Sequence, residues 1–171
     1  MLPQPRLSRS SPGGGQRGVG PKLRNRTMKA LNRQVFLALA TVAWADGQLA
    51  PDERDGILRA AKNAGFSDAD VQALAASIET PVPLSSLTLR KLSALDRVFV
   101  YAMAEWLARI DNQLDPKEQA ALNELGGFLM LSERVRTKAR DAAVEVAGLP
   151  SGNRPDRFDL VGLRSLLEQR M

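Results

Sequence analysis

Residues 46–53 read DGQLAPDE, and residues 111–118 read DNQLDPKE, 65 positions further on. Asp46/Asp111, Gln48/Gln113, Leu49/Leu114, Pro51/Pro116 and Glu53/Glu118 are identical, so one turn is written twice. Its letters describe a joint between helices. Gly47 and Asn112 are the residue types that most readily take the left-handed conformation ending a helix. Pro51 and Pro116 suit the first position of the next helix, where a missing N–H costs nothing. Glu53 and Glu118 then fall at the third helical position, the glutamate of a capping box. Asp115 is a good N-cap and Ala50 is not, while Leu49 and Leu114 are expected to point into a core. Caps of this kind contribute about 1 kcal/mol each. The same offset carries Ser67 onto Ser132, so the two halves of the chain are expected to superpose.

Around these joints the pattern is helical throughout. The chain is rich in alanine and leucine, has only eight aromatic residues, and shows no convincing strand. Leu31, Val35, Leu39 and Val42 recur at helical spacing in a first helix that runs from Met28 to Gly47. Pro51 opens a second, to about Ala64, with Gly65 ending it. Ser67 and Asp70 cap a third near 68–79. TPVP at 80–83 breaks the chain. Helix resumes at Ser85 and continues to about Ile110, with a new start near Ser93. Another runs from Asp115 or Pro116 through Met130, and one from Ser132 to Gly148. PSGNRPD at 150–156 reads as a linker before a last amphipathic helix using Phe158, Leu160, Leu163 and Leu167. The expected fold is all-α: a compact bundle of seven to eight helices with an internal pseudo-two-fold repeat.

Composition removes several chemistries. There is no cysteine and no histidine, which excludes disulfides, Cys/His zinc sites and histidine-assisted nucleophiles. A metal bound within one chain must be a hard, oxygen-loving cation. The net charge of +5 is uneven. Seven of the 24 basic residues and none of the 19 acidic ones lie in residues 1–29, leaving the rest at −2. Residues 1–27 are Pro-, Gly-, Ser- and Arg-rich with little to bury, and a disordered basic tail is expected. Clustered Arg and Lys can contact nucleic acid or anionic lipid, although the tail has no aromatic residue for stacking on bases. No apolar run spans a bilayer and no secretory signal is visible, so the expected location is cytoplasmic or peripheral to the inner membrane.

Two pairs in the repeat exceed what capping needs. Asp46 and Asp111 sit at helix C-terminal ends, where the dipole disfavours an anion by roughly 0.3–1 kcal/mol. Hydrogen bonds to the turn can offset that, and so can a bound cation. Gln48 and Gln113 have no capping role. Aligned to an EF-hand loop, Asp46 takes position five and Glu53 position twelve. Positions one and three then fall on Val42 and Trp44, or on Leu107 and Arg109, so neither loop supplies a normal calcium sphere.

ADGQLAPDE and RIDNQLDPKE, each behind an apolar helix and ahead of an Ala/Leu helix, resemble the TerB-like tellurite-resistance family. They are also similar to the N-terminal module of DnaJ-like membrane co-chaperones. ELGGFLMLSERV resembles the family's LG-x-S ending, and the resemblance covers about residues 30–148. It implies a TerB-like helical domain at 28–149, following the tail at 1–27 and preceding a linker and helix at 150–171. It further implies a bacterial stress-response role through protein partners. It also implies a divalent cation such as calcium or magnesium on Asp46, Glu53, Asp111 and Glu118. The second copy departs from the family pattern, reading IDN beside Arg109.

The remaining candidates have structural readings. Trp44 and Trp106 lie on apolar helix faces. Glu105 and Arg109 are spaced for a surface ion pair. Asp96 and Glu105 have no nucleophile or substrate cradle beside them. The chain is expected to be non-enzymatic, with no small-molecule substrate. The alternative is an adaptor or co-chaperone-type domain without metal, its basic tail docking on membrane or nucleic acid.

Overall fold

The computed structural model describes residues 33–45, 47–110, 114–150, 152–154 and 158–171. The tail at 1–27, with Asp46, Asp111, Asn112 and Gln113, lies outside the described residues. Seven α-helices appear among those described: α1 (Arg33–Ala43), α2 (Pro51–Asn63), α3 (Asp68–Ser77), α4 (Ala94–Leu107), α5 (Pro116–Phe128), α6 (Glu133–Ala147) and α7 (Leu160–Arg170). No strand occurs among the described residues. The fold is an all-α bundle.

Caps set most boundaries. Ser67, Ser93 and Asp159 accept backbone N–H groups of Asp70, Asp96 and Gly162 at the starts of α3, α4 and α7. The bounds of α2 and α5 recur at the 65-residue offset, and so does the turn after each. Phe66 N donates to Ala61 O at 3.1 Å, and Leu131 N to Gly126 O at 3.0 Å. This wider bond pulls the chain back across the helix end and demands a left-handed residue inside the turn. Gly65 supplies it with φ +90° and Met130 with φ +59°.

Helix α4 is the axis. Eleven of its fourteen residues are buried, nine of them apolar, so it is enclosed on nearly every side. It packs most extensively on α6, then on α1, α7 and α5. Phe36 and Leu39 from α1, Leu122 and Leu125 from α5, and Leu163 and Leu167 from α7 close around it.

Three expectations need correction. Residues 85–92 are not α-helix but two short 3₁₀ turns, Leu84–Ser86 and Leu89–Lys91, separated by extended backbone at Leu87 and Thr88. Leu87 and Leu92 must both reach the core, and Thr88 N donates to Gln34 Oε1 at 2.7 Å. A regular helix would break both arrangements. The helix expected through Met130 stops at Phe128, because Met130 turns left-handed. The third helix ends at Ser77, two residues early, with Ile78 as its buried cap.

Candidate functional site

The two joints are built alike. After α1, Trp44 and Ala45 continue as a turn, Gly47 takes φ +96°, and α2 begins at Pro51. Glu53, 9% exposed, accepts Ala50 N at 3.0 Å through Oε2. Ala50 has no side-chain acceptor, so only this half of the capping box forms. In the second joint both halves are present. Asp115 Oδ1 accepts Lys117 N at 2.7 Å, and Glu118 Oε2 accepts Asp115 N at 2.9 Å. Leu49 and Leu114 pack half-buried on the core, as their position in the turn requires. Trp44 is half-buried, and its Nε1 donates to Ile78 O at 2.9 Å, tying α1 to the end of α3.

The cation reading meets a limited donor set. Each joint contributes one glutamate among the described residues, with one oxygen already accepting a backbone N–H. No group of three or more carboxylates stands together among the described residues. A calcium sphere of six to eight oxygens would need the aspartate of each joint and further donors.

Besides Glu53, the buried carboxylates among the described residues are two that the sequence places outside the site, Asp96 and Glu105. Glu105 is 1% exposed and is paired with Arg109 and, at 3.3 Å, with Arg140 of α6. The expected surface ion pair therefore has a buried carboxylate between two partly exposed arginines. An apolar-all-round helix is the signal that would have found it, since any charge within such a helix goes inside with it. Arg140 lies 35 residues away and no spacing rule reaches it. Burial first, then the charge of Glu105 and a hydrogen bond to it, push the Tyr101 phenol up to about 12. Glu105 and Arg109 line a cleft of about 250 Å³ beside Trp106, Val144 and Asn153. Trp106 stacks on Phe158 with ring centroids 4.0 Å apart, and its Nε1 donates to Gly152 O at 3.1 Å.

Tyr101 is the chain's single tyrosine, so its titration can be read alone by ultraviolet absorbance. We expect a native midpoint near 12 and an unfolded one near the ordinary value of about 10. A folded value above the unfolded one means a contribution fully present below pH ~10 and lost as pH rises through ~12. A native midpoint at the unfolded value would show that the phenol is not enclosed as described.

Asp96 joins a second pair. Its Oδ2 accepts Ser93 N at 3.1 Å and Ser93 Oγ at 2.7 Å, and its Oδ1 accepts Arg164 Nη1 at 2.9 Å. Arg164 lies 5.6 Å from the Phe99 ring centre. The neighbouring Arg97 is left over, with a buried Nε that finds no hydrogen-bond partner. It lines a groove of about 450 Å³ between the start of α4 and the α5–α6 turn.

One family model, described as protein of unknown function (DUF533), matches residues 7–143. The chain belongs to this family. The DUF533 match takes in both joints, α1 to α5 and α6 as far as Ala143, so the Glu105 cluster and most of the groove fall within it. No curated protein and no solved structure matches the chain.

Proposed function

We propose that this DUF533 protein is a TerB-like, non-enzymatic module that acts in a stress or tellurite response by binding a protein partner. The supporting observation is the contrast, among the described residues, between paired buried carboxylates and an open apolar groove. Glu53, Asp96 and Glu105, the buried carboxylates among the described residues, are each tied to an amide or a guanidinium. The groove beside Met130, by contrast, is apolar and open, and Met130 is 75% exposed. No described helix is long and apolar enough to cross a membrane. A pseudo-two-fold arrangement of the halves and a cytoplasmic setting are parts of the same proposal.

A photo-crosslinking residue at position 130 should give a discrete adduct in the cell of origin. The same residue at Leu149, half exposed but not lining the groove, should not. Equal labelling at both positions would sink the reading.

The cation is a separate proposal, resting on the repeated acidic turn. The first joint holds it better than the second, because Arg109 lies two residues from Asp111 and opposes metal entry. At ten times its Kd a cation bound only to the folded chain stabilises by about 1.4 kcal/mol, roughly 3–6 °C in melting temperature. Asp46→Asn should weaken that shift more than Asp111→Asn. If millimolar calcium, magnesium and manganese all leave the wild-type curve unmoved, the joints are helix caps and nothing more.

A further inference from the structure

The groove that supports the binding reading also carries the chemistry of its occupant. Leu95 and Val98 of α4, Met130 and Leu131 of the α5–α6 turn, Val135 of α6 and Met171 form its apolar surface. Among the described residues no carboxylate side chain lines it. Arg97 does, and among the described residues that line it no other side chain is charged. Arg97 stands in the first turn of α4, at the positive end of the helix dipole, where a cation is disfavoured. The adjacent carboxylate, Asp96, is already taken by Arg164. Two buried guanidinium Nε atoms, those of Arg97 and Arg164, have no hydrogen-bond partner, and of the two residues Arg97 is the one that lines the groove. A carboxylate is the partner a guanidinium fork takes best.

Met130 gives an independent observation. The α5–α6 turn needs a left-handed residue, and the equivalent turn after α2 uses Gly65. A side chain there strains the backbone, yet the methionine is 75% exposed and does little for the core. Strain kept where the fold gains nothing argues for a role outside the fold. Met171, 50% exposed, sets a second flexible thioether on the same groove. Such side chains adapt to an apolar partner surface. An acyl chain would need an enclosed cavity burying most of its surface. An open groove with apolar walls suits the apolar stripe of a helix.

We propose that this groove docks an amphipathic helix carrying a carboxylate beside its apolar face, with Arg97 binding the carboxylate and Met130 covering the apolar stripe. The proposal rests on the binding-module reading above and names the class of partner.

The test uses the full chain and synthetic amphipathic peptides of about 18 residues, long enough to hold a helix. They share one leucine face and differ in a single flanking residue: Glu, Gln or Lys. By fluorescence anisotropy the Glu peptide should bind about tenfold tighter than the Gln peptide, the effect of one charge-assisted bond, and the Lys peptide weakest. Arg97→Gln should erase the Glu-over-Gln preference. Met130→Gly should weaken all three peptides while raising the melting temperature, a pairing that a purely structural methionine would not give. Equal binding of the Glu and Gln peptides to wild type overturns the carboxylate assignment and leaves the binding reading standing. No peptide binding, or binding indifferent to Met130→Gly, overturns both. Capture by phosphatidylglycerol vesicles through Arg97, with no peptide bound, overturns the proposal in favour of a membrane surface.

Discussion

Replacing Asp96 with alanine lowers the melting temperature by roughly 6–20 °C, the equivalent of about 3–5 kcal/mol for a chain of this size. The side chain holds two structures at once. It completes the capping box that starts α4, and it neutralises Arg164, which at 6% exposure cannot turn to water. Removing one member of a buried pair strands the other charge, and that loss exceeds what the pair itself contributes. Asp96→Ala combined with Arg164→Met should therefore recover part of the loss, because an apolar side chain of similar length does not need an anion. The two effects must be non-additive in a double-mutant cycle. Additive losses would mean that the residues do not share a bond in solution.

Glu105→Ala should cost about 2–3 kcal/mol, at the lower end for a buried ion pair. Glu105 itself is sealed, but Arg109 and Arg140 are partly exposed, so water compensates some of the charge that the mutation leaves behind. The tyrosine titration adds a readout that simple destabilisation would not move. The charge of Glu105 and its hydrogen bond both raise the Tyr101 value, after burial, which is the largest cause. In Glu105→Ala the midpoint should fall below 12 yet remain above the ordinary value of about 10. An unmoved midpoint would show that Glu105 does not face the phenol.

Most of the helices were legible because their ends obey local rules. Pro51, Pro116, Ser67, Ser93 and Gly65 each act within a few residues of where they stand. Expectations failed where a local preference was overruled from a distance. Residues 85–92 have helical letters, but Leu87 and Leu92 serve a core assembled by α1 and α4. The left-handed Met130 has no signal of its own, since methionine is not a residue that ends helices. Only the 65-residue offset to Gly65 points to it. The groove was illegible for the same reason. It joins α4 to the α5–α6 turn, elements that no local spacing rule brings together. The repeated turn carries the letters of helix–turn–helix joints, and both glutamates act there as backbone caps.

The enclosure of α4 has a consequence for biosynthesis. Its cover comes from both directions along the chain, from α1 before it and from α6 and α7 after it. When α4 leaves the ribosome, only the first part of that cover exists. The last part follows roughly 60 residues later, about 3–12 s at ordinary translation rates of 5–20 residues per second. Throughout that interval the nascent chain presents a helix whose flank is bare apolar surface. Residues 94–107 are thus the segment that a holding chaperone would grip, and the stretch whose exposure sets how often the newborn chain is lost to aggregation.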